Sequence, residues 1–151
     1  MGRDLSQPQE LPLLRACVLD SIRLWPTTPA ILRDTTEPTS WETGTLAQGA
    51  AVVVFAPFFH RDDERLPYAD SFAPELWLRG DSPERAPLVP FSEGPATYAG
   101  RNLVLLTTSA LLAKLLAGAR LRQHHPRALS GTRPLPRTLS PFRLRFEATA
   151  G

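Results

Sequence analysis

The stretch Phe91-Ser92-Glu93-Gly94-Pro95-Ala96-Thr97-Tyr98-Ala99-Gly100-Arg101 decides how this chain is read. Two glycines and a proline make a tight loop that runs straight into a long apolar segment, Leu103 to Ala119. Such a loop can aim one side chain and several backbone N–H groups at a single point, because glycine admits backbone conformations closed to other residues and a helix start presents unpaired donors. The loop and the segment behind it are therefore the place to look for a ligand.

Working outward, residues 101–117 read as a long helix, with Leu103, Val104, Leu105 and Leu106 in succession. A helix apolar around its whole circumference is expected to be covered on all sides. A second helix is predicted over 12–24: proline suits a first turn, and Leu13, Leu14, Cys17, Val18, Ser21, Ile22 and Leu24 bring apolar residues back to one face. Pro26 and Pro29 stop it. Ala30 to Arg33 and the valine-rich Ala50 to Phe55 read as strands able to pair across the loop holding Trp41 and Gly44, with a turn at Gln48-Gly49. From Ala56 to Val89 periodicity fails; His60 to Arg65 is a charge run with no pattern behind it, and prolines punctuate the rest. Arg120–Gln123 and Phe142–Phe146 alternate as strands do. Residues 1–10 are expected to be flexible.

A chain of 151 residues allows one core but not two good ones. The net charge of +2 sets up no strong field for nucleic acid. The tail carries Arg120, Arg122, Arg127, Arg133, Arg137, Arg143 and Arg145, but few aromatics interleave with them, so a solvated strand face is the preferred reading and no nucleic-acid partner is expected. The single cysteine, Cys17, excludes an internal disulfide. No secretory pattern precedes Leu11, and the apolar segment 103–119 is interrupted by Thr107, Thr108, Ser109 and Lys114. It is read as a buried helix rather than a membrane span, with a cytoplasmic protein as the expectation.

The loop resembles the haem-binding signature of cytochrome P450, F-x-x-G-x-x-x-C-x-G, with Phe91, Gly94 and Gly100 at fixed positions and Tyr98 where the cysteine belongs. Asp20-Ser21-Ile22-Arg23-Leu24-Trp25-Pro26 resembles the E-x-x-R-L-x-P end of that family's K helix, with aspartate for glutamate. The spacing of Asp20 and Arg23 alone describes a solvated surface pair; the resemblance implies a pair that locks the fold behind the haem. Phe72-Ala73-Pro74-Glu75-Leu76-Trp77 is similar to the family's F-x-P-E-R-W element, with Leu76 where a third charged member is usual. Pro83-Glu84-Arg85 repeats the letters without flanking aromatics and is taken as coincidence.

The resemblance implies a mainly α fold with small β ladders (α+β), the C-terminal part of the cytochrome P450 fold: two long helices, short strands and a long irregular meander forming one partial domain over 1–151. It implies haem as cofactor, Arg33 as the cation for a propionate where the strand alone would make it an ordinary edge arginine, and Tyr98 at the axial position, supported by Phe91, Gly94 and Gly100. Two readings of Tyr98 stand: a phenolate on iron, which haem proteins do use, or an aromatic packed into an emptied site. Glu93 departs from the small residue usual there. Cys17, within the first helix, reads as a small buried hydrophobe, and His60, His124 and His125 show no metal spacing. The family's activity is insertion of one oxygen atom into a substrate with electrons from a redox partner; with the cysteine and the earlier half of that fold missing, this chain is expected to be impaired as a monooxygenase. The other expectation is a haem-free accessory protein that stabilises or activates a partner enzyme such as a glycosyltransferase.

Overall fold

The computed structural model describes residues 11–79, 88–125, 129–130 and 133–150. The expectations for residues 1–10, for Pro83-Glu84-Arg85 and for Arg127 lie outside them. The elements run α1 (Pro12–Leu24), β1 (Ala30–Asp34), β2 (Thr39–Trp41), β3 (Gly44–Leu46), β4 (Ala51–Phe55), α2 (Ala56–His60), α3 (Arg101–Gly118), β5 (Ala119–His125) and β6 (Arg145–Ala150), with short 3-10 turns at Pro74–Trp77, Gly94–Ala96 and Pro141–Arg143. The class is mixed α+β, with three antiparallel two-stranded ladders among the described residues: β1 with β4, β2 with β3, and β5 with β6.

Helix α1 starts on Pro12, whose missing N–H costs nothing in a first turn, and ends where Trp25 N–H reaches back to the Ser21 carbonyl. Its Val18 and Leu19 pack on Leu105 of α3, with Ile22, Trp77, Phe91 and Leu112 around them. β1 and β4 pair from Ala30↔Phe55 to Asp34↔Ala51. Between them lies the small β2–β3 hairpin, in a segment expected to be loop. Three residues per strand carry too little pattern to be read from sequence.

Two further expectations are corrected. The segment after β4 is not patternless: Pro57 sits in the first turn of α2, and His60 and Arg61 are buried. Nor is α3 covered on all sides. Only Leu105, Ser109 and Ala113 are buried, one stripe four residues apart that faces α1, while Leu103, Leu111, Leu115 and Leu116 are exposed. The helix is long and apolar enough to cross a membrane by length and composition alone. Apolar content counts the surface a helix must cover; it does not say that the cover is present.

Candidate functional site

Beneath the loop sits a buried ionic network. Asp20 and Arg23, one turn apart on α1, are both fully buried. The carboxylate takes Arg23 Nε at 2.6 Å and Trp77 Nε1 at 3.1 Å on Oδ1, and the Ala73 N–H at 2.7 Å on Oδ2. Arg23 Nη2 also donates to Asp20 Oδ2 at 3.3 Å, and the guanidinium further donates to backbone carbonyls: Nη1 to His60 at 3.0 Å and Ala69 at 3.1 Å, Nη2 to Ser71 at 2.6 Å. Leu76, at the place of the usual third charge, is buried. Carbonyls and an indole N–H take that role. Buried charges survive only when paired and fully hydrogen-bonded, and both conditions hold here.

His60 joins this network to the loop. Its carbonyl accepts from Arg23, and its Nε2 accepts the Val89 N–H at 2.9 Å, two residues before Phe91. Its Nδ1 is buried without a partner. Burial, with the Arg23 charge acting in the same direction, pushes the imidazole pKa down to about 4, so the ring is neutral and Nδ1 carries the proton. Next to it, Arg61 binds Asp70 at 2.6 Å and the carbonyls of Leu135 and Pro136, and Trp25 Nε1 reaches the same Pro136 carbonyl at 3.0 Å. Sequence reading passed over both residues, because a run of charges looks alike whether it is solvated or buried.

The loop itself is held by backbone bonds: Ser92 N–H to Val89, Thr97 N–H to Gly94, Tyr98 N–H to Phe91 at 3.0 Å, and Arg101 N–H to Tyr98 at 3.1 Å. Gly94 has φ +74°, and Ser92 adopts φ +64°, a left-handed conformation a non-glycine residue holds at a cost of about 1–3 kcal/mol. The hydroxyl of Ser92 accepts a short hydrogen bond from Arg33 Nη2 on β1. Glu93 is solvated.

Tyr98 lies along this loop. Its ring is parallel to that of Phe91, 10° between planes and 6.1 Å between centroids. A Cβ placed on Gly100 would sit 2.7 Å from Tyr98 Cε1, Cζ and Oη, so the bare glycine gives the phenol its room. The ring is also half exposed.

Arg33, Ser92, Phe91 and Tyr98 border one cavity of about 650 Å³, whose other walls include Ile22, Ile31, His60 and Val104. Cofactor clefts commonly hold about 300–1,000 Å³, so the volume and the mostly apolar walls suit a flat ring with an anionic edge toward Arg33. Cys17 is elsewhere, half-buried rather than buried, in a groove with Ser21, Trp25, Thr108 and Leu112; burial, then the nearby Asp20 charge, raises its pKa. His124 pairs with Glu147 on the β5–β6 ladder, 2.9 Å apart. Among the described residues no three His, Cys, Asp or Glu side chains group as metal ligands.

The cytochrome P450 family model matches residues 3–128 of this chain. The chain belongs to the cytochrome P450 family. It is 32% identical over 120 residues to cytochrome P450 monooxygenase FCK2 of Fusarium pseudograminearum, a match covering 77% of this chain and 22% of that protein. It is 31% identical over 119 residues to cyclooctat-9-en-7-ol 5-monooxygenase of Streptomyces melanosporofaciens, covering 76% and 26%. Cytochrome P450 4g15 of Drosophila melanogaster is 29% identical over 120 residues, covering 74% and 20%. The chain thus spans about a fifth to a quarter of these relatives.

Cytochrome P450 enzymes carry haem, and two features of this chain bear on that group. The cleft fits the macrocycle in volume, apolarity and the presence of one guanidinium. The donor set does not fit a thiolate-ligated iron: Tyr98 offers a phenol folded against Phe91 and Gly100, and Cys17 opens on another groove.

Proposed function

We propose that this chain is one partial domain, the haem-facing part of a cytochrome P450 fold, and that it holds the cofactor without the chemistry a thiolate supports. The observation that carries the reading is the Tyr98 ring laid over Gly100, in a loop that keeps Phe91, Gly94 and Gly100 and has Tyr98 where the resemblance puts the axial cysteine. A cysteine thiolate pushes electron density onto iron and favours O–O cleavage; a phenol held in this way is a poor substitute. A protein supplies binding, orientation and electrostatics around its cofactor. Here Arg33 binds an anionic edge, Phe91 walls the ring, and Gly94 and Gly100 let the loop close.

In this reading monooxygenase turnover is impaired, and a redox partner has no productive role. The test is titration of the purified chain with haem, followed at the Soret band. A saturable band is expected, with no thiolate-type absorption in the reduced carbon monoxide complex. No Soret band at any haem concentration overturns the reading.

A second reading is favoured by a different observation. Leu103, Leu106, Leu111, Leu115 and Leu116 lie exposed along one helix, an apolar surface larger than scattered single residues require. A haem-free accessory protein would use such a surface to hold a partner enzyme. It predicts a stoichiometric complex and no Soret band.

A further inference from the structure

We infer that the cleft binds a porphyrin by its flat faces and carboxylate edge, with no contribution from a central metal. The inference rests on the haem-cleft reading and goes beyond it by removing iron from the recognition.

Among the described residues three groups near the cleft could in principle bond a metal, and each is otherwise engaged or opens on another groove. Tyr98 borders the cavity, but its ring is stacked on Phe91 and packed against the bare face of Gly100, so bonding a metal would require it to leave both contacts. His60 borders the cavity, but its Nε2 lone pair takes the Val89 N–H and its Nδ1 bears the proton of the neutral ring. Cys17 opens on the groove between α1 and α3, not on this cavity. What remains is a slot of about 650 Å³ with apolar walls from Ile22, Ile31, Pro90, Phe91 and Val104. At its rim the Arg33 guanidinium is steadied by the Ser92 hydroxyl and the Leu32 carbonyl. Apolar walls and one cation recognise a flat dicarboxylate ring whether or not it carries iron.

The experiment compares haem with metal-free protoporphyrin on the full chain, each followed by quenching of tryptophan fluorescence. The two dissociation constants are expected to agree within about threefold, a difference no larger than one weak hydrogen bond. Arg33→Ala is expected to weaken both by about tenfold, the loss of one charge-assisted contact. Tyr98→Phe, which keeps the ring and deletes the hydroxyl, is expected to change neither.

Haem binding more than about thirtyfold tighter than the metal-free ring, with the preference lost in Tyr98→Phe, shows phenolate ligation and overturns this inference while the cleft reading stands. If neither ring binds, the cleft reading fails and takes the inference with it.

Discussion

At the residue scale, the network around Asp20 is where a single change does most damage. Arg23→Ala leaves a fully buried carboxylate with only an indole and one backbone N–H. Removing one partner of a buried pair typically costs about 3–5 kcal/mol, so urea denaturation of this variant should show a midpoint shifted far down or no folded baseline. Replacing both, as Asp20→Asn with Arg23→Met, should recover part of that loss, since no uncompensated charge remains. His60 makes a separate prediction about pH. Its pKa is near 4 in the fold against about 6.5 unfolded, so the unfolded chain binds the extra proton between those values. This contribution to stability is full above about pH 6.5 and is lost as pH falls toward about 4. His60→Gln keeps an acceptor for Val89 and should flatten that acid limb; an unchanged slope contradicts a neutral imidazole. Gly100→Ala should swing the half-exposed Tyr98 ring off Phe91, and Gly100→Ala with Tyr98→Ala should be milder than Gly100→Ala alone.

At the element scale, α3 separates apolar content from burial. Leu105→Ala removes a core side chain against Val18 and Leu19 and should cost about 2–5 kcal/mol in chemical denaturation. Leu103→Ala, on the open side, should stay within about 0.5 kcal/mol. The helices were the most legible elements: Pro12 marks the start of α1, Pro26 follows its end, and the apolar run after Gly100 marks α3. The β1–β4 pairing was legible from alternation and valine. The β2–β3 hairpin and α2 were not, because three strand residues or five helical ones span barely more than one period of their pattern. The exposure of α3 was not legible either: a run of leucines records a demand for cover and not its supply.

At the scale of the whole molecule, the ordered signatures lie close in space: α1 holds the Asp20–Arg23 pair, His60 ties it to Val89, and the loop follows to Tyr98. The Phe72–Trp77 element joins through Ala73 N–H and the Trp77 indole. Residue letters pointed to Arg33, Phe91 and Tyr98, which border one cavity, and to Gly94 and Gly100, which do not line it. They could not carry His60 or the carbonyl set around Arg23, because backbone acceptors leave no mark in a sequence. The bare leucines of α3 predict a property of the entire chain. Leu103→Gln, Leu111→Gln and Leu115→Gln together should raise solubility and reduce self-association in sedimentation, with little change in unfolding free energy; unchanged self-association would show that this face is not the adhesive one.

In the proposed reading the haem cradle persists with a phenol in place of the family's sulfur. The direct measurement is the reduced carbon monoxide spectrum of the haem-loaded chain beside that of Tyr98→Cys. The wild-type chain is predicted to lack the thiolate signature and the variant to acquire it. A thiolate signature in the wild-type chain, or a cysteine variant that binds haem no differently, would contradict the account.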